Sequence, residues 1–225
     1  MSSKYLVEFY FKTLLIGIIV TLVVCLLFEY ETFTKYLISF ELGEFFVSFI
    51  WYIAYGALIA TVSQLVFFAY LFINPLGLSI FKSFWKVIQI FIIIVAIVDM
   101  VYLRLLRFDM DTTQIATFIW VPILIIITAI IVSYFKNKQS ETNVIVPALF
   151  FMIVMTIVAL IPFLKVDDTR WLMRSIFAIL ACNAFQLLVL PSYIKKSEQR
   201  LKARSQTKKE FRKKSNPDNK NSDKT

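Results

Sequence analysis

From Phe45 to Phe81 the chain runs for 37 residues without one Asp, Glu, Lys or Arg. A helix of such a stretch has no polar face to turn toward water, as a soluble amphipathic helix must. It also exceeds the roughly 20 residues that cross a hydrocarbon core about 30 Å thick. Asn74, Pro75 and Gly77 interrupt it with turn-forming residues, so the pattern predicts one span followed by a turn.

Counting the other apolar runs between charges gives six membrane spans, at about 9–28, 47–72, 85–104, 114–135, 144–164 and 174–194. Backbone polar groups in lipid must be satisfied within the segment, which leaves helices or closed barrels. Runs such as IQIFIIIVAIV and VPILIIITAIIV lack the alternation of barrel strands. The expected fold class is therefore all-α, a polytopic integral membrane helical bundle over residues 1–194. The composition agrees: 59% of residues are hydrophobic and 17% charged, against about 25% charged in soluble domains. Phe28, Glu29 and Tyr30 follow the first run where a signal peptide would carry small residues, so this run is expected to stay as an uncleaved span. Val24 ahead of Cys25 argues against a lipoprotein signal.

Residues 195–225 form a basic tail with 12 of the chain's 24 Lys and Arg residues. Its few apolar residues cannot build a core, so it is expected to be mostly disordered, with a helical start as far as about Phe211. The net charge of +9 is read as a topology signal and an attraction to anionic lipid rather than to nucleic acid. With the N-terminus inside, Lys4, Lys12, Lys82, Lys86, Lys136 and Lys138 oppose Lys35, Arg104, Arg107, Lys165, Arg170 and Arg174 outside. The loops alone are evenly split. Seven basic residues between Lys195 and Lys209 decide the matter and place both termini in the cytoplasm of a multi-pass bacterial cell-membrane protein.

Small and amide residues mark two helix stripes. Gly56, Ala60 and Gln64 follow one another at intervals of four on the second span, and Ala178, Cys182 and Gln186 repeat the pattern on the sixth, with Asn183 beside it. Small residues let helices approach closely, and amides bond across them. These seven are candidate helix-packing or partner contacts. Asp99 is the one intramembrane charge, close enough to Arg104 and Arg107 for pairing and otherwise a candidate for proton-coupled or signalling work.

An enzyme is poorly supported, and no catalytic, cofactor-binding or metal residue is assigned. The chain has no histidine, no phosphate loop and no carboxylate cluster with ligand spacing. Asp167 and Asp168 are adjacent and read as solvated; Ser63, Ser79 and Ser83 have no evident base. Cys25 and Cys182 sit far apart in apolar runs and read as buried small residues. The alternative function is a small transporter or channel using Asp99, Gln89 and Gln64 as a polar path, although no internal repeat supports it.

Read in order, SQLVFFAYLFINPLGLSIFKSFWKVIQI (Ser63 to Ile90), VDMVYLR (from Val98), YFKNKQ (Tyr134 to Gln139), PALFFM (Pro147 to Met152) and CNAFQLLVL (Cys182 to Leu190) resemble the KinB-signalling pathway activation protein family, KbaA. The resemblance extends from about Lys12 to Tyr193. It implies a non-enzymatic membrane accessory protein that promotes activation of a sporulation sensor histidine kinase, its partner in the membrane, upstream of the phosphorelay. It implies no cofactor and transfers no site residue, and it leaves the tail without an assigned role.

Overall fold

The computed structural model describes residues 3–30, 34, 42–108, 119–164 and 169–215. Every secondary-structure element among them is helical: α1 (Ser3–Phe28), α2 (Leu42–Phe81), α3 (Trp85–Phe108), α4 (Trp120–Lys138), α5 (Ile145–Leu164) and α6 (Thr169–Ser215). Five helical stretches are long and apolar enough to cross a membrane. One of these, Gly43–Leu103, covers 61 residues and contains both α2 and α3. The chain divides into two compact units, Tyr10–Leu188 and a smaller one made of Met1–Phe9 with Val189–Thr225.

Within the larger unit α5 is the most buried of these long apolar helices. Its residues from Phe150 to Ile157 are all buried, so neighbours surround this part of the helix on every side. The same region leaves α geometry for a π-helical turn at Phe151–Met155, which shifts the facing of the residues that follow. Phe151 meets Phe67 and Tyr70 of α2 edge-on or tilted, at 5.5 and 4.9 Å between ring centroids. Outward-turned α2 and α3 residues such as Phe72, Ile80 and Phe91 are by contrast exposed.

Between α2 and α3 the structure departs from the sequence expectation. The helix does not turn at Asn74, Pro75 and Gly77 but continues through them to Phe81, and a 3₁₀ turn at Lys82–Phe84 follows. Pro75 removes one backbone donor, a loss that membrane helices tolerate where neighbours re-satisfy the freed groups. Reversal occurs at Lys82, whose φ of 48° is the left-handed conformation that ends helices. The side-chain oxygen of Asn74 accepts from Trp85 Nε1 at 3.0 Å and from Gln89 Nε2 at 3.1 Å. A straight helix would hold residues 74 and 89 about 22 Å apart, so these bonds require α3 to fold back on the end of α2. Gly77 makes room for the return, since a Cβ there would lie 2.3 Å from the Trp85 ring.

In the smaller unit the helical start of the tail, expected as far as about Phe211, reaches Ser215. α6 continues without interruption through Lys195 to Ser215, and residues 216–225 lie outside the described part. No nucleus has to form, because the tail extends an existing helix, and its Lys, Arg, Gln and Glu residues are good helix formers. Tyr193 anchors this region: its ring meets Phe9 and Tyr5 at 5.5 and 6.4 Å, and its hydroxyl donates to Glu8 Oε1 at 3.2 Å.

Candidate functional site

Many of the buried polar side chains of the larger unit lie along α6 and form a column facing α1, α2 and α5. At its first end, beyond the last turn of α1, Glu29 Oε1 pairs with Arg174 Nη1 at 3.0 Å, with only 11% and 5% of the two side chains exposed. Tyr52 of α2 donates its hydroxyl to Glu29 Oε2. The guanidinium lies 5.4 Å from the Tyr52 ring centroid and 5.1 Å from that of Trp171, and its Nε donates to the Arg170 carbonyl at 3.2 Å. The charge is thus held between two aromatic rings and a carboxylate, an arrangement that favours arginine over lysine.

At the next α6 position, and one turn further along α2 from Tyr52, the Tyr55 and Ser175 hydroxyls share a hydrogen bond of 2.6 Å. Deeper still, Ser63 donates to Asn183 Oδ1 at 2.7 Å, and Asn183 Nδ2 donates to Thr156 Oγ1 of α5 at 2.9 Å. Gln186 Nε2 then reaches Gln64 Oε1 at 2.9 Å. The α2 and α6 partners are separated by 120, 120 and 122 residues in turn, and so constant an offset means that the two helices run parallel. Gln64 Nε2 and Gln186 Oε1 are buried with no protein partner among the described residues.

Small residues close the three-helix contact. A Cβ added to Gly17 of α1 would lie 2.6 Å from Ala60 Cβ, 3.0 Å from the Gly56 carbonyl and 3.2 Å from Cys182 Sγ. One added to Gly56 would meet Ile18 Cα at 2.8 Å. Cys182 also lies 3.7 Å from the Thr13 carbonyl, which accepts from its thiol. α1 therefore packs at backbone distance against the groove between α2 and α6.

All seven stripe residues lie in this interior. Gly56, Ala60, Gln64, Cys182, Asn183 and Gln186 take part in the contacts above, and Ala178 is fully buried. The three residues of the alternative polar path do not come together: Gln64 pairs with Gln186, Gln89 is buried against Asn74, and Asp99 is exposed on α3. Asp99 has no hydrogen bond or ion pair among the described residues. The Arg104 and Arg107 side chains lie outside the described part, as do Asp167 and Asp168. Cys25 and Cys182 are both buried free thiols. No group of three or more His, Cys, Asp or Glu residues could hold a metal among the described residues.

Two features of the site escaped the sequence reading. Thr13, Gly17 and Thr21 form a third stripe at the same spacing of four, and both threonines are buried; that spacing was the available signal. Glu29 and Arg174 each border an apolar run, and opposite charges at helix ends on the same side of a bundle are the pattern that would have paired them.

The family model described as KinB-signalling pathway activation in sporulation matches residues 17–193. The chain is also 34% identical to a KinB-signaling pathway activation protein of Bacillus subtilis (strain 168), over 87% of this chain and all of that one. No solved structure matches the chain significantly. The polar column and the three-helix contact, Thr13 apart, fall inside the matched region.

Proposed function

From the premise that this chain belongs to the KbaA family of KinB-signalling pathway activation proteins, we propose that it is a bacterial cell-membrane accessory protein that promotes activation of a sporulation sensor histidine kinase. It does so without chemistry of its own, by contact with the kinase in the bilayer or by assisting its delivery there, upstream of the phosphorelay. The family match carries this reading, because it covers the helical body and leaves out only the chain's ends.

The body crosses the membrane six times, with both termini cytoplasmic. Support comes from the smaller unit, where Phe9 at the start of the first span meets Tyr193 at the end of the last. Chain ends on one side require an even number of crossings. The 61-residue stretch therefore supplies two, a division favoured by its reversal at Lys82 and the bonds from Asn74 to Trp85 and Gln89.

The stripe residues Gly56, Ala60, Gln64, Ala178, Cys182, Asn183 and Gln186 hold the bundle together, and the kinase contact uses other surfaces. Asp99, exposed on α3, is the intramembrane charge best placed to meet another membrane helix, since such a group in lipid is costly unless it finds a partner. The test is genetic. Deleting the gene in a strain whose sporulation depends on the cognate kinase lowers spore counts, and restoring the wild-type chain recovers them. Unchanged sporulation in that strain refutes the reading.

A further inference from the structure

The smaller unit carries an open surface pocket, its lining residues all exposed, that the kinase-activation reading does not use. It has a volume of about 430 Å³ and is lined by Lys4 of α1 and by Arg200, Leu201, Ala203, Arg204 and Thr207 of α6. That volume falls within the range of about 300–1,000 Å³ typical of small-molecule sites. Three of the six lining residues are cations and none is acidic.

Both helices contribute to this convergence. Arg200, Arg204 and Thr207 recur at intervals of four and three and so share one face of α6. Lys4 is brought to the same place by the aromatic clamp that ties α1 to α6, in which Tyr193 holds Phe9 and Tyr5 and Arg200 lies 5.9 Å from the Tyr5 ring centroid. The nearest acid on α1, Glu8, accepts from the Tyr193 hydroxyl, and the Thr207 hydroxyl donates to the Ala203 carbonyl at 3.0 Å. Among the described residues, Lys4, Arg200 and Arg204 have no ion pair. Three cations around one pocket repel one another, and an anion within it relieves that repulsion.

We propose that this pocket binds a phosphate group, held by the guanidinium forks of Arg200 and Arg204 with Lys4 as a third charge. Arginine presents paired donors that match the oxygens of a phosphate. Position favours the headgroup of an acidic phospholipid as the source. The apolar run of α6 ends at Ile194, so Arg200 lies about 9 Å and Arg204 about 15 Å further along the axis. The polar zone of a leaflet is about 5–8 Å deep, and arginine side chains reach back toward it. The attraction of the basic tail to anionic lipid is thereby narrowed to one group of named residues, a proposal that stands whether or not the kinase reading holds.

The experiment uses the full chain in nanodiscs of phosphatidylcholine with a minor fraction of phosphatidylglycerol, and native mass spectrometry to count the acidic lipid that stays bound. A parallel arm follows inorganic phosphate by ³¹P line broadening in nanodiscs of phosphatidylcholine alone. The double variant Arg200→Lys/Arg204→Lys keeps the charge but loses both forks, and retention is expected to fall about tenfold. Lys195→Ala/Lys202→Ala removes two charges that do not line the pocket and leaves retention near wild type. Retained phosphatidylglycerol identifies the lipid as the source; broadening by phosphate without lipid retention keeps the site and identifies a soluble anion. Equal losses in the two double variants, or binding of neither probe, overturns the proposal.

Discussion

Replacing Arg174 by Met should be among the most damaging single changes in the larger unit. The pair it forms with Glu29 is nearly enclosed, at 3.0 Å and with 5% and 11% of the side chains exposed. Removing one member of a buried ion pair costs about 3–5 kcal/mol, because the other charge is left unpaired out of water. At about 1.4 kcal/mol per tenfold change, the unfolding equilibrium should shift by more than a hundredfold. The loss should be asymmetric. Glu29→Gln leaves Arg174 between the Tyr52 and Trp171 rings and bonded to the Arg170 carbonyl, whereas Arg174→Met leaves Glu29 only the Tyr52 hydroxyl. The double variant Glu29→Gln/Arg174→Met removes both charges and should be more stable than Arg174→Met alone, since neutral replacement of a buried pair is often close to neutral in stability. Unfolding in mixed micelles titrated with SDS, monitored by circular dichroism, measures all three. A cost below about 1 kcal/mol for Arg174→Met, the range of an exposed pair, would refute the assignment of a buried charge site, as would strict additivity of the two single changes.

Two more predictions follow from the same packing. Gly17→Leu drives a side chain into a space where a Cβ alone already comes within 2.6 Å of Ala60, so α1 should separate from α2 and α6 at a cost of at least about 1–3 kcal/mol, while Gly43→Leu, where a Cβ meets nothing, should unfold like wild type in the same titration. Cysteines introduced at Ser83 and Ser205 should react with a membrane-impermeant maleimide from the same face of sealed vesicles; labelling from opposite faces would exclude the six-span arrangement.

The helical body could be read from the sequence because lipid permits so few solutions: long runs without charge must become helices. The two small-and-amide stripes were also visible, and their separation in sequence, 122 residues from Gln64 to Gln186, is the offset at which those side chains bond. The boundaries were harder to read. Asn74 and Pro75 spell a turn in soluble chains, but here the helix passes through them and turns where Lys82 takes a left-handed backbone. The helical start of the tail was expected as far as about Phe211 and the helix runs on to Ser215, since the absence of a core argues against independent folding but not against extension of a helix that is already formed. Glu29 and Arg174 were invisible as a pair because each looked like the ordinary charged border of its own span. The family was not readable from any site chemistry; it came from the order of apolar motifs along the chain.

The distribution of polar groups also restricts how such a protein can reach a partner. Intramembrane hydrogen bonds are worth little one at a time, about 0.6 kcal/mol on average, yet here Ser63, Asn183 and Thr156 form one chain and Gln64 and Gln186 another, across three helices. Each donor spent in this way is unavailable to an outside helix. The Gly56, Ala60 and Gln64 stripe, which in isolation has the character of a docking face, is occupied by α1 and α6. A helical body built on this plan can meet another protein only through its outward-turned helix faces or its polar ends. A crosslinking side chain in place of the long Gln64 should accordingly capture only helices of the same chain, α6 first, whereas one at an outward residue such as Phe91 or Asp99 can reach a partner helix.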